Sequence, residues 1–75
     1  MLTIDMKATG QRMKEMCLAK GIKPKDIMDA CGFSNLNGIY RWFRGETLPA
    51  LDNFIILADL LDATIDSILV IRKVR

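Results

Sequence analysis

Apolar side chains recur at helical spacing through most of this chain and alternate only at its two ends. Between residues 8 and 20, Met13, Met16 and Cys17 stand three and four apart, one face of a helix. Thr9 reads as an early cap for that helix, and Gly21 as the left-handed residue just beyond its end. Ile22 re-enters the core, and Pro24 is suited to the first turn of a second helix whose stripe is Ile27, Ala30 and Cys31. Gly32 stops it. Phe33 packs, and Ser34 and Asn35 offer cap chemistry to a third helix from about Leu36 to Phe43, closed by Gly45. Leu48 and Pro49 break the chain before a fourth helix, roughly 51 to 61, that turns Phe54, Leu57, Ala58 and Leu61 inward. Asp62 and Ala63 form a turn, and Thr64 caps a short fifth helix carrying Ile65, Ile68 and Leu69. Asp52 and Asp66 lie near helix starts, where a negative charge suits the dipole.

At the ends the period changes to two. Leu2, Ile4 and Met6 alternate with polar residues, and the stretch from Leu69 to Val74 is extended in character. These ends are expected to pair as a small β-ribbon, within the chain or across a dimer; a plain helix-to-tail ending is the alternative. The expected fold class is all-α, a compact five-helix bundle forming one domain over 1–75, with a helix-turn-helix at about 24–44.

Composition narrows the function classes. With 75 residues the chain is near the lower size limit for independent folding, so a partner subunit is expected. Hydrophobic content of 51% and charge of 27% exclude a disordered tail. No apolar run approaches the roughly 18 residues of a membrane span, and MLTIDMKATG lacks the long apolar centre of a signal peptide, so a bacterial-type cytoplasmic protein is expected. Net charge is only +2, but bases dominate residues 7 to 44 while Asp52, Asp59, Asp62 and Asp66 follow. Two cysteines and no histidine leave too few ligands for a structural zinc site, so Cys17 and Cys31 read as small core residues. No acid–base pair, metal or nucleophile converges, and neither an enzyme nor a cofactor or small-molecule ligand is expected.

The segment GFSNLNGIYRWFRGETLP is small and polar at its front, with Asn35, Asn37 and Gly38. Its rear joins Ile39, Trp42 and Phe43 to Arg41 and Arg44. A tight turn around Gly32 joins the second and third helices, the helix-turn-helix arrangement, whose second helix can enter the major groove. Small residues in front let such a helix seat, and apolar residues behind anchor it.

Gly10, Arg12, Gly21, Ile22, Ile27, Gly32-Phe33-Ser34, Ile39, Trp42, Arg44-Gly45, Pro49, Leu57-Ala58, Leu60-Leu61 and Thr64-Ile65-Asp66 together resemble the Cro/phage-repressor helix-turn-helix family, also called XRE-like or lambda repressor-like. The likeness spans roughly residues 10 to 70. It is similar above all to small stand-alone regulators of Gram-positive bacteria and their mobile elements. The resemblance implies sequence-specific DNA binding, commonly by dimers on palindromic sites. Several positions depart from the family pattern. Lys23-Pro24 replaces its Ser or Thr followed by Gln, so Lys23 or Lys25 would reach a phosphate by charge. Phe43 replaces its Glu, removing the usual ion pair to Arg12. The turn after Gly32 is one residue longer, and Gly38 interrupts the helix at a cost of about 1 kcal/mol against alanine.

Candidate roles follow. Asn37 is the first candidate for base readout, since an amide can pair with an adenine edge; solvation in the first helical turn is the plain alternative. Arg41, one turn on, can fork onto guanine or touch a phosphate. Tyr40 can contact a sugar or thymine methyl, or pack on the first helix. Leu36 can meet a thymine methyl or act as a hydrophobic staple. Lys23, Lys25, Asn35, Arg44 and Thr47 are candidates for the phosphate backbone, which sets register without reading sequence. Lys7, Lys14 and Lys20 read as solubilising charges. The expected function is a DNA-binding transcriptional regulator, most simply a homodimeric repressor on double-stranded DNA. The alternative is a protein-interaction or antitoxin-like module that keeps the fold with weak DNA affinity.

Overall fold

The structure is a computed structural model and describes residues 1–74. Its elements run β1 (Leu2–Ile4), α1 (Met6–Lys20), α2 (Pro24–Cys31), α3 (Asn37–Phe43), α4 (Leu51–Leu60), α5 (Ile65–Ile68) and β2 (Ile71–Lys73). The five expected helices are present, with boundaries moved by one or two residues: α1 starts earlier, α3 starts after Leu36, and α4 ends at Leu60.

Four of the helix ends use one device. Beyond α1, the N–H of Gly21 donates to Leu18 O and that of Ile22 to Cys17 O, with Gly21 left-handed at φ 70°. Both bonds satisfy carbonyls that the helix leaves open, and the reversal returns Ile22 to the core. Past α2 the N–H of Phe33 donates to Met28 O around Gly32, and past α3 the N–H of Glu46 donates to Arg41 O around Gly45. At the end of α4 the left-handed position is held by Asp62, at φ 50°, a residue that tolerates it better than most.

The start of α1 differs from expectation. Asp5 is the cap, its Oδ1 accepting from the Ala8 N–H at 3.0 Å. Thr9 lies one turn inside, fully buried, where its Oγ1 accepts from the Val70 N–H at 3.0 Å. A threonine can bond the backbone of a distant segment as readily as its own helix, and that distant segment is invisible in local pattern.

Thr9 and Asp5 tie down the terminal ribbon. The Asp5 N–H donates to Val70 O at 2.8 Å, and β1 pairs antiparallel with β2, Leu2 opposite Lys73 and Ile4 opposite Ile71. The ribbon thus forms within the chain. Arg12 closes the other side of this joint: its Nη1 donates to Ser67 O in the last turn of α5 and to Leu69 O just past it. Without the family's glutamate partner, Arg12 serves as a C-terminal clamp instead.

The core is a single cluster. Met13 and Cys17 of α1, Ile27 of α2, Ile39 and Trp42 of α3, Phe54, Leu57 and Ala58 of α4, Leu61, and Ile68 of α5 are buried together. Every helix contributes, so no element holds its place alone. Met16, Cys31 and Phe43 cover this cluster from its edge.

Candidate nucleic-acid interface

Gly10 in α1 decides how close the third helix can come. A Cβ there would meet the carbonyl oxygens of Trp42 at 2.3 Å and Phe43 at 2.7 Å. Gly45 makes the matching approach from the other side, where a Cβ would lie 2.6 Å from the Lys7 Cα. Backbone therefore meets backbone at the rear of α3, and Ile39 and Trp42 fill the space beneath. Phe33, in the preceding turn, sets its ring edge-on to Trp42 with centroids 5.7 Å apart, which fixes α3 against α2.

The front of α3 is built for exposure. Asn35 Oδ1 accepts from the Asn37 N–H at 3.0 Å, so Asn35 supplies the cap its position implied. Leu36, the residue before the first turn of α3, is half-buried against the core. Asn37 and Arg41 are exposed and one helical turn apart. Beside Gly38 a Cβ would meet nothing within 4 Å. Tyr40 is 43% exposed and stands edge-on to Phe43, with centroids 6.4 Å apart.

Of the candidate phosphate ligands, Lys23 and Lys25 flank the start of α2. Lys25 pairs with Asp29 at 3.3 Å, and the Lys23 N–H donates to Asp26 Oδ2 at 2.8 Å. The amide end of α2 is thus already partly occupied by this chain's own carboxylate. Thr47 is half-buried in the loop after α3. Arg44 is exposed at the rear of α3.

Two features went unread in the sequence. Lys7, Gln11 and Lys14 of α1, at spacings of four and three, line a groove of about 420 Å³ with Tyr40, Phe43 and Arg44. The helical spacing was visible, but only the packing of α1 on α3 gives it a partner. Glu46 is the second feature. The turn around Gly45 brings its carboxylate against two arginines: Oε1 lies 3.7 Å from Arg41 Nε, and Oε2 accepts a short bond from Arg44 Nε. That bond holds the Glu46 carboxyl below the usual carboxylate range and raises Arg44.

Other chemistries find little support. Among the described residues, no three His, Cys, Asp or Glu side chains are grouped to hold a metal ion. Burial pushes the Cys17 thiol up to about 11, so it is protonated and a poor nucleophile at neutral pH. Among the described residues, no helix is long and apolar enough to cross a membrane.

No protein-family model and no curated protein matches the chain. Among solved structures, it is similar to the high-resolution crystal structure of the restriction-modification controller protein C.AhdI from Aeromonas hydrophila. The two share 26% identity with a TM-score of 0.73, over 85% of this chain and 96% of that one. In backbone as in residue pattern, this chain has the helix-turn-helix fold of the Cro/phage-repressor type.

Proposed function

We propose that the chain is a sequence-specific DNA-binding regulator of transcription, a repressor, that seats α3 in the major groove. One observation carries this reading: Asn37 and Arg41 share an exposed face of a helix whose opposite face, Ile39 and Trp42, is locked in the core. Asn37 would read an adenine edge and Arg41 a guanine, each bidentate contact worth about 1–3 kcal/mol of discrimination. Tyr40 and the outer part of Leu36 supply apolar contact to thymine methyls. Lys23, Lys25, Asn35 and Thr47, and the group of Arg44, Lys7 and Lys14 along one groove, suit the flanking phosphates. The likeness to a protein named as a restriction-modification controller supports a regulatory role. A single seven-residue helix offers few base contacts, so a homodimer on a pseudo-palindrome, with half-sites about 10–10.5 bp apart, is the working unit.

The competing reading is a protein-interaction or antitoxin-like module with weak DNA affinity, and the net charge of only +2 favours it. Salt separates the two. Binding to duplexes selected from a random pool should weaken steeply as salt rises, and Asn37→Ala or Arg41→Ala should each cost about five- to a hundredfold in affinity. Fluorescence anisotropy reads both. Unaltered affinity in the two variants would remove α3 as the reader, and binding indifferent to salt would favour the protein partner.

A further inference from the structure

We infer that Glu46 is a positioning residue of this interface: it holds Arg41 and Arg44 by Nε, turns their terminal nitrogens outward, and moderates their attraction to phosphate of any sequence. This rests on the DNA-binding reading.

Backbone geometry comes first. Gly45 is left-handed at φ 76°, the Gly45 N–H donates to Trp42 O, and the Glu46 N–H donates to Arg41 O, each at 3.0 Å. These two bonds set Glu46 directly past the last turn of α3. The close approach of Gly45 to Met6 and Lys7 forbids a side chain there and fixes the turn further. Glu46 is thus a carboxylate mounted on a rigid bend, one residue beyond Gly45.

The pairing is specific in its atoms. Arg44 Nε hydrogen-bonds the carboxylate and Arg41 Nε lies 3.7 Å from it, an ion pair without a hydrogen bond; in both, the closest approach is at Nε and not at the edge formed by Nη1 and Nη2. A guanine is read by a guanidinium edge offering two parallel donors, and a side chain held in that pose loses less freedom on binding. All three side chains are about half exposed, so the pair is in place without sealing either arginine from a duplex.

Charge supplies the other half. Two arginines alone would add +2 at the DNA face; with Glu46 the trio adds +1. Sequence-independent affinity grows with each phosphate neutralised, by a slope of about −0.9 in log K against log salt. In a random complex Arg41 and Arg44 would both seek phosphates, whereas in the correct complex Arg41 is committed to a base. Glu46 therefore penalises the random complex more than the correct one. An acid placed here weakens total attraction and sharpens choice.

The test uses the full chain and two labelled duplexes, one of random sequence and one selected by the wild-type chain. Anisotropy titrations run between about 50 and 200 mM salt. Glu46→Gln should raise affinity for the random duplex about three- to tenfold near 0.1 M salt, steepen the salt slope by about 1, and lower the selected-to-random ratio. Glu46→Asp keeps the charge but shortens the reach, and should lower the ratio with little change on the random duplex. In an Arg41→Ala, Arg44→Ala background, Glu46→Gln still removes a negative charge and should raise affinity for both duplexes alike, leaving the selected-to-random ratio unchanged. Thermal unfolding confirms that each variant is folded; the backbone bonds that set the turn do not use the replaced side chain. Random-duplex affinity unchanged in Glu46→Gln, or a fall in the selected-to-random ratio that persists without the two arginines, overturns the inference. A wild-type chain that binds neither duplex overturns the DNA-binding reading instead.

Discussion

Gly10 and Gly38 look alike in sequence, single glycines inside helices, and have opposite surroundings. Gly10 is where α1 touches the carbonyls of Trp42 and Phe43, and any side chain there would push α3 outward. Gly38 faces open space. Replacing it with alanine removes the backbone freedom glycine brings to the unfolded chain and meets no clash, so Gly38→Ala should stabilise the fold by about 1 kcal/mol. The same methyl sits on the helix proposed to enter the groove, so selective DNA binding should fall while stability rises. Thermal unfolding and anisotropy on the one variant measure both. A stabilised variant with undiminished selectivity would mean that the α3 backbone does not approach the bases at Gly38. Glycine spacing alone could not separate these two roles, because only the packing of α1 on α3 distinguishes them.

At the scale of elements, α4 carries the unpartnered apolar face. Leu51 is 71% exposed and Ile55 57%, one turn apart and away from Phe54, Leu57 and Ala58. The terminal residues Val70, Ile71 and Val74 are the other candidate for self-association; Ile71 and Val74 stay exposed, but Val70 is half-buried and tied to Thr9 and Asp5, and the ribbon closes within the chain. A dimer should therefore pair through α4. Light scattering should find wild type at twice the chain mass and a Leu51→Glu, Ile55→Glu variant at the chain mass, with helical circular dichroism retained. A variant that stays dimeric would move the interface elsewhere. Helix stops were legible because glycine at a left-handed cap has a local signature, as at Gly21, Gly32 and Gly45. Thr9 was misread because its hydroxyl serves Val70, 61 residues away, in place of its own helix end. Arg12 was read by the partner it lacked, since the carbonyls it clamps, of Ser67 and Leu69 at the end of α5, lie more than fifty residues away.

For the molecule as a whole, the five-helix plan was readable because each helix shows its own apolar stripe and each stripe enters one core. The reading face was half legible. Asn37 and Arg41 stand at the spacing that puts them on one exposed side, but the supports around them come from distant segments. Lys7 and Lys14 join the face only once α1 lies across α3, and Glu46 joins it only through the turn at Gly45. Charge summed over the sequence concealed this, since acids at Asp52, Asp59, Asp62 and Asp66 offset the basic first half. Sequence-specific binding by this chain requires α3 to enter the major groove. Methylation interference on the selected duplex tests that directly, because guanine N7 lies in the major groove and adenine N3 in the minor. Methyl groups at guanine N7 should block binding within each half-site, with no effect from adenine N3 there. Interference confined to adenine N3, or absent at both, would contradict major-groove seating of this helix.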